Sequence, residues 1–303
     1  MKKLFKYNIL FILVALQAGC SGEQDSQEPI PTPNPPAQEK LEIKISPSVS
    51  GSRATDYGFE TGDCIGLYVV NYSGGNPGTL SDSDNHVSNM RFSYDGIWTP
   101  DSQVTWVDNE THADFYVYYP YSSVKSVDAY EFSVNKDQST ESAYKASDLM
   151  TGKTINVAPT ASAIEIPVSH TMSRASIYLE PGNGFTAETL SKSDISVRIN
   201  GVKCNATVKL ATGEVTPVGE TATITPLFSD NCYKALIVPQ TVDECNLITV
   251  IVDGREYKLH KGFTFQSGKN HNFTVILSKT SAGVNVNITP WDEDDTDNGG
   301  TAE

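Results

Sequence analysis

Five histidines are the side chains in this sequence best suited to proton transfer near neutral pH. None of them lies in a Ser/His/Asp arrangement, a nucleophile elbow, a Gly-rich phosphate loop or a metalloprotease helix. A lone histidine beside a strand is more commonly a hydrogen-bonded structural residue than a catalyst. The sequence therefore predicts that the protein is not an enzyme. The five residues are His86, His112, His170, His260 and His271.

The densest group of carboxylates is the run "WDEDDTDNGG", which begins at Trp291. Oxygen ligands of this kind suit calcium, but the spacing does not match the D-x-[DN]-x-[DN]-G pattern of a calcium loop. We therefore interpret residues 292–303 as a solvated acidic tail, and we expect neither a metal nor another cofactor.

Four cysteines follow the N-terminal region, and none has the CxxC or Cys/His spacing of a zinc site. In an exported protein they can pair, with three connectivities allowed. The alternative, which we favour, is that they are small buried hydrophobic residues. Whether a disulfide joins two of Cys204, Cys232 and Cys245 stays open at this stage; the fourth residue is Cys64.

The chain contains 14 tyrosines, and several alternate in "FYVYYPYS". Aromatic residues pack well on a pleated surface, so packing within a sheet is the default explanation. Carbohydrate stacking on exposed tyrosines is the alternative.

The charge of the chain excludes some partners. With 37 acidic and 22 basic residues, the formal net charge is -15. Nucleic acid and anionic membrane surfaces would both be repelled.

The N-terminus has the pattern of an export signal. Lysines at positions 2, 3 and 6 precede the apolar run "NILFILVALQAGC", which is too short to span a bilayer. Its ending resembles a lipobox, so we expect residues 1–20 to be a lipoprotein signal with Cys20 as the lipidated residue. Gln17 departs from the usual leucine, and the alternative is an ordinary secretory signal. Residues 21–38 are acidic and then Pro-rich, which predicts a disordered tether.

Short alternating runs such as "LEIKI", "IGLYVV" and "AIEIPV" dominate the rest, separated by Gly- and Asn-rich turns. This pattern predicts an all-β protein built of sandwiches. Within "AIEIPVSHTMSRASIYLE" the apolar positions are even-numbered from Ile164 to Met172 and odd-numbered from Ala175. A strand cannot change faces in this way without a bulge or a crossing. We therefore place a boundary near Ser173 and Arg174, with one sandwich over residues 39–168 and another over 169–291.

The first predicted strand is followed by a small-residue loop containing a lone arginine. Leu41, Ile43 and Ile45 alternate with polar residues, so the strand can bury one face. The loop "VSGSRATDYG" presents Arg53 to a trypsin-like protease, or it is an ordinary turn.

Several stretches together resemble the fimbrillin-like family, subunits and accessory proteins of type V fimbriae in Bacteroidales. They are the export signal, "SRATDYGFETGDCIGLYVV", "ADFYVYYPYS", "SDLMTGK", "IPVSHTMSRASIYL", "ALIVPQ" and "VNVNITPWDED". The resemblance covers nearly the whole chain after the tether, and it rests on the order and spacing of these stretches.

The resemblance implies two tandem transthyretin-like β-sandwich domains and an assembly route. A lipidated precursor reaches the outer membrane, and an arginine-specific, trypsin-like protease cuts a loop after the first strand. On this sequence the cut falls between Arg53 and Ala54. Loss of the first strand would open a groove that a strand from another subunit fills.

The donor strand is predicted less directly. "VNVNI" places Val284, Val286 and Ile288 on one face, which suits a donor; alternatively, this stretch completes its own C-terminal sandwich. In the second case the protein resembles a tip or accessory subunit. The rival to assembly is an uncleaved surface lipoprotein that anchors the fimbria or binds carbohydrate on a host or bacterial surface.

Overall fold

The computed structural model describes residues 40–50, 58–279 and 300–302. It contains 17 strands and two single-turn helices, so the prediction of an all-β protein is confirmed. The predictions for Cys20, Arg53, Ala54, Val284, Val286 and Ile288 lie outside the described residues, as do those for residues 1–20 and 21–38. Among the described residues, no helix is long and apolar enough to cross a bilayer.

The first sheet has seven strands in the order β1-β8-β7-β5-β2-β3-β4. All its pairings are antiparallel except that of β1 with β8. Its strands are β1 (Ile45–Val49), β2 (Cys64–Asn71), β3 (Val87–Tyr94), β4 (Trp98–Pro100), β5 (Ala113–Tyr119), β7 (Met150–Val157) and β8 (Ile164–His170).

Two smaller sheets follow, with the orders β11-β10-β14-β15 and β12-β13-β9-β16-β17. One strand from the earlier part of the chain, β6 (Tyr130–Ser133), pairs with β10. The other strands are β9 (Ser173–Pro181), β10 (Ile195–Lys209), β11 (Glu214–Ile224), β12 (Leu227–Ser229), β13 (Cys232–Ile237), β14 (Gln240–Val252), β15 (Arg255–Phe265), β16 (Asn270–Leu277) and β17 (Gly300–Ala302).

The change of apolar phase seen in the sequence corresponds to a change of sheet. In β8, Ile164, Ile166 and Val168 are buried and alternate with exposed residues. The strand ends at His170, and β9 begins at Ser173 in a different sheet, where the odd-numbered Ala175 and Ile177 are buried. Two residues separate the strands. The buried positions can therefore change from even to odd between them, while the period-two alternation is kept within each strand.

Two hydrophobic cores lie within the region from Lys40 onward, which forms one compact unit. The first core covers one face of the seven-stranded sheet and includes Trp106 and Phe115. Tyr68 and Tyr118 belong to the second core, together with the strands after β8. Because successive residues of a strand point to opposite faces, β2 is buried on both sides, as its continuous apolar run indicates.

The two helices are short and capped. Helix α1 (Glu141–Lys145) begins after Thr140, whose side chain accepts a hydrogen bond from the N–H of Ala143. Helix α2 (Ala187–Lys192) begins with a capping box formed by Thr186 and Thr189.

Candidate functional site

The first strand, β1, lies at one edge of the seven-stranded sheet. In the described part of the chain it pairs with β8 alone, with Ile45 opposite Ile164 and Val49 opposite Val168. Backbone hydrogen bonds hold both ends, from the N–H of Ile164 to the carbonyl of Lys44 (2.9 Å) and from the N–H of Ser50 to the carbonyl of Val168 (2.7 Å). A strand with one neighbour can be removed without breaking the pairing of the other strands.

The three residues predicted to form the buried face of the first strand all contact the first core, but they belong to two local structures. Ile45 lies in β1, whereas Leu41 and Ile43 lie in an extended segment that pairs with residues 104–106. There the N–H of Ile43 donates to Val104 (2.8 Å) and the N–H of Trp106 donates to Leu41 (2.9 Å). Residues 41–49 therefore connect two parts of the first core.

Burial along this segment is deep on one side. Ile43 is 1% exposed and Ile45 5% exposed, Pro47 is buried, and Leu41 is half-buried. At about 1.5–3 kcal/mol for a fully buried aliphatic side chain, the two isoleucines contribute roughly 3–6 kcal/mol. Proline suits an edge strand because it has no N–H to contribute to a second ladder.

A groove of about 480 Å³ lies beside β1. Ile43 and Ile45 line it from one side, and Ile97, Trp98 and Pro100 line it from the other. Because β1 and β4 are the opposite edges of the sheet, the sheet must curl until these edges approach each other. Ile97 is 72% exposed, so the groove already presents apolar surface.

The chain is also held in place after residues 51–57. The ring of Phe59 packs against those of Trp98 (centroids 4.8 Å apart) and Tyr119 (5.8 Å). The ammonium group of Lys145 lies 2.8 Å from Glu60 and 3.0 Å from Asp63. Partial burial opposes the charge on Lys145, but its hydrogen bonds to the two carboxylates outweigh this effect and raise its pKa. The described segments on both sides of residues 51–57 are therefore anchored.

The cysteines have the character of packed hydrophobic residues. Cys204 and Cys232 are buried, Cys64 and Cys245 are half-buried, and all four are free thiols. Burial raises the pKa of the Cys204, Cys232 and Cys245 thiols, which makes them poor nucleophiles at neutral pH. Across the described residues, no group of three or more His, Cys, Asp or Glu side chains could hold a metal ion.

Each histidine has a hydrogen-bond partner, in agreement with the structural interpretation of these residues. Their rings bond to the Thr105 carbonyl (His86), Asn156 (His112), Asp148 (His170), Asn246 (His260) and the N–H of Gln266 (His271).

Sequence reasoning missed the groove, because nothing in the local pattern shows that β1 and β4 approach each other. It also missed a pocket around Tyr72, His112 and Asn156. The Gly-rich stretch "NYSGGNPG" was a signal for this pocket in the sequence, but its composition predicted only a turn between two strands.

A model of the fimbrillin-like family matches residues 52–291, and the chain belongs to that family. No curated protein matches the chain in sequence.

Solved structures from Bacteroides share the fold. A candidate cell adhesion protein from Bacteroides ovatus is 16% identical, with 85% of this chain and 100% of that chain covered and a TM-score of 0.65. One from Bacteroides uniformis is 20% identical, with 78% and 94% covered and a TM-score of 0.58. A fimbrial protein from Bacteroides ovatus is 18% identical, with 84% and 55% covered and a TM-score of 0.53.

Proposed function

We propose that this protein is a structural or accessory subunit of a cell-surface type V fimbria, made as a precursor that matures by losing its first strand. Membership of the fimbrillin-like family supports a role in fimbriae or adhesion rather than catalysis. The observation that carries the proposal is the position of β1. Among the described residues it is a buried edge strand with one neighbour, and it ends at Val49, four positions before Arg53 in the sequence.

In the proposed maturation step, an arginine-specific, trypsin-like protease hydrolyses the peptide bond between Arg53 and Ala54. Water supplies the hydroxyl of the new carboxyl group and the proton of the new amine. Release of residues 41–49 frees the N–H of Ile164 and the carbonyl of Val168, which β1 now engages. An edge with free backbone groups is a template for an added strand.

The incoming strand would come from another subunit. Removal of β1 extends the groove, because Ile43 and Ile45 now form one of its sides. A donor with three aliphatic residues on one face, such as Val284, Val286 and Ile288 of another copy, matches the alternation of Leu41, Ile43 and Ile45.

The remaining parts of the proposal concern domains and export. The folded region would form two transthyretin-like sandwiches, over residues 39–168 and 169–291. The change of sheet between β8 and β9 supports this division. One strand departs from it, because β6 belongs to the first range but pairs with β10 in the second. Lipid on Cys20 would hold the precursor in the outer membrane, and residues 21–38 would act as the tether. Residues 292–303 would form the acidic tail, of which Gly300–Ala302 pair with β16 as strand β17.

The second candidate function is an uncleaved surface lipoprotein that anchors the fimbria or binds carbohydrate. One observation favours the carbohydrate alternative, namely a pocket that combines aromatic rings with convergent polar groups. Such a pocket is compatible with either fate of β1.

The N-terminus of the protein recovered from the cell surface, measured by mass spectrometry, tests the main proposal. We expect a start at Ala54 in the wild type and a start at Cys20 in an Arg53→Ala variant. Arg53→Lys separates an arginine-specific protease from one that accepts either basic residue. The control is Arg255→Ala, which removes an exposed arginine beside another turn and should leave processing unchanged. A lipidated Cys20 start in all wild-type surface material would contradict the proposal.

A further inference from the structure

Two connections and the end of β7 line an open pocket of about 400 Å³ at one end of the seven-stranded sheet. Asn71 of β2 lies opposite Ala113 of β5, and Ala113 lies opposite Val157 of β7, so the residues next to these positions meet at the same end. We call this the Tyr72 pocket. It is lined by Tyr72, the Gly74–Gly75 turn, Glu110, Thr111, His112 and Asn156, and it shares no lining residue with the groove beside β1.

A buried carboxylate lies next to residues that line the pocket. Asp114 is 4% exposed, and its Oδ1 accepts a hydrogen bond from the N–H of Asn156 at 2.8 Å. Burial and the negative charge of the neighbouring Asp114 carboxylate raise the pKa of the Tyr72 and Tyr116 phenols. Asp114 therefore links β5 to β7 and places a negative charge near the phenol of Tyr72.

A second set of hydrogen bonds holds His112 beside Tyr72. The N–H of Tyr72 donates to the carbonyl of His112 (2.9 Å), and the two ring centroids are 6.2 Å apart. Nδ1 of His112 lies 2.8 Å from Oδ1 of Asn156. Asn156 has a φ of 57°, a left-handed conformation that asparagine adopts more readily than most residues. The two rings form a half-buried aromatic wall.

Two polar residues that precede His112 in the chain, Glu110 and Thr111, also line the pocket. Asp108 accepts hydrogen bonds from the N–H groups of Glu110 (2.9 Å) and Thr111 (2.6 Å), which fixes this turn. The exposed Glu110 carboxylate has no partner among the described residues. At Gly74 and Gly75 an added Cβ would meet nothing within 4 Å, so the glycine turn leaves the mouth open.

The composition of the pocket defines its ligand class. Aromatic rings with a few fixed polar groups form ligand sites, and 400 Å³ is near the lower end of their usual range of about 300–1,000 Å³. The apolar face of a sugar ring can stack on Tyr72 while its hydroxyls donate to the Glu110 carboxylate. That carboxylate and the net charge of -15 disfavour an anionic ligand.

We infer that the Tyr72 pocket binds a neutral saccharide, one or two rings in size, on a partner surface. This site goes beyond the assembly proposal and does not depend on cleavage at Arg53, because it lies on loops between strands that remain in either form. It would give the subunit an adhesive role of its own.

Saturation-transfer NMR on the whole purified surface protein tests the inference. The probes are the methyl glycosides of galactose, glucose, mannose and N-acetylglucosamine, with the methyl glycoside of sialic acid as the anionic probe. We expect transfer to at least one neutral glycoside, a shift of the His112 ring resonances on binding, and no transfer to the sialoside. Absence of transfer to all four neutral probes, or preference for the sialoside, would overturn the inference.

Two variants localise the binding. Tyr72→Ala should weaken it at least tenfold, and the exposed Glu110→Gln should weaken it severalfold without the risk of unfolding that accompanies a change beside Asp114. The matched control is Tyr121→Ala, which removes a tyrosine of 36% exposure outside the pocket and should leave binding unchanged. Equal binding by the wild type and both pocket variants would refute the site. Mass spectrometry of the N-terminus on the same samples shows whether the first strand has been lost. Failure of the cleavage proposal can therefore be distinguished from failure of the saccharide-binding proposal.

Discussion

Strands β1 and β5 belong to the same sheet but occupy opposite situations in it. β1 is at the edge, with one parallel neighbour, whereas β5 is the central strand, paired with β2 and β7. Six of the seven residues of β5 are buried, because both of its faces are covered. The comparison teaches that burial and strand pairing are separate properties. Ile45 is nearly as buried as the residues of β5, yet its strand is held by one ladder only, as the proposed maturation requires.

The largest expected effect is at the central strand. Phe115→Ala should lower the free energy of unfolding by about 3–5 kcal/mol, because it leaves a cavity in a fully buried site. Its ring lies against that of Trp106, with centroids 5.5 Å apart, so Trp106 would lose a packing partner. Urea unfolding of the wild type and variant measures the change. Ile155→Ala, at a position of 59% exposure in neighbouring β7, is the control and should stay within about 0.5 kcal/mol.

The second largest expected effect is a pH dependence of stability that arises in the second core. There β16, which pairs with β9, carries a fully buried histidine. Burial among Phe263, Phe265 and Phe273 lowers the pKa of His271 from 6.5 to about 4. Between pH 6.5 and 4, the unfolded chain binds more protons at this histidine than the folded protein does. The free energy of unfolding is therefore highest above pH 6.5 and decreases as the pH falls towards 4. The full loss is about 3 kcal/mol.

Urea unfolding at several pH values between 7 and 4 measures this loss. His271→Gln should flatten the dependence between pH 6.5 and 4, because glutamine does not titrate and can still accept from the N–H of Gln266. His260→Gln changes an exposed histidine and should retain the wild-type dependence. An unchanged slope in His271→Gln would mean that other groups cause the acid sensitivity.

The smallest expected effect is at β1, and it differs between the two forms of the protein. In the full-length precursor, Ile45→Ala should lower the free energy of unfolding by about 2 kcal/mol, the lower end of the range for buried aliphatic residues, because an edge site relaxes more easily. After cleavage at Arg53 the residue is gone, so protein matured from the wild type and from the variant should unfold identically.

The measurement is thermal or urea unfolding of both forms side by side. Ser48→Ala changes an exposed residue of the same strand and should leave both forms unaffected. If Ile45→Ala destabilised the processed form as well, residues 41–49 would still be associated with it, and the distinction between edge and central strands would lose its functional meaning.

Much of the fold was predictable because a strand's alternation is a local property. Ile164, Ile166 and Val168 on even positions, and Ala175 and Ile177 on odd ones, were enough to predict two strands and a boundary between them. The partners of a strand were not predictable in this way. Nothing in "LEIKI" indicates that Ile43 bonds to Val104 while Ile45 lies opposite Ile164.

The Tyr72 pocket shows the same limit. Tyr72, His112 and Asn156 are about 40 residues apart in sequence, as the hydrogen bond between His112 and Asn156 spans 44 positions. Tyr72 and His112 lie in connections between strands and Asn156 lies near the end of β7, so each is close to a turn, a feature that the sequence marks clearly. Their meeting depends on β2, β5 and β7 being neighbours, which the pairing of the whole sheet decides.

The sequence by itself determined that the protein is all-β, which positions of β8 and β9 are buried and where a lone arginine follows the first apolar segment, because these depend on residues a few positions apart. Only the tertiary structure decided that β1 is an edge, that the sheet curls until β1 and β4 share a groove, and that two rings and a carboxylate form a pocket. These features depend on pairings between residues far apart in the chain. Such pairings are stabilised by packing of the whole core and leave no mark in any one segment.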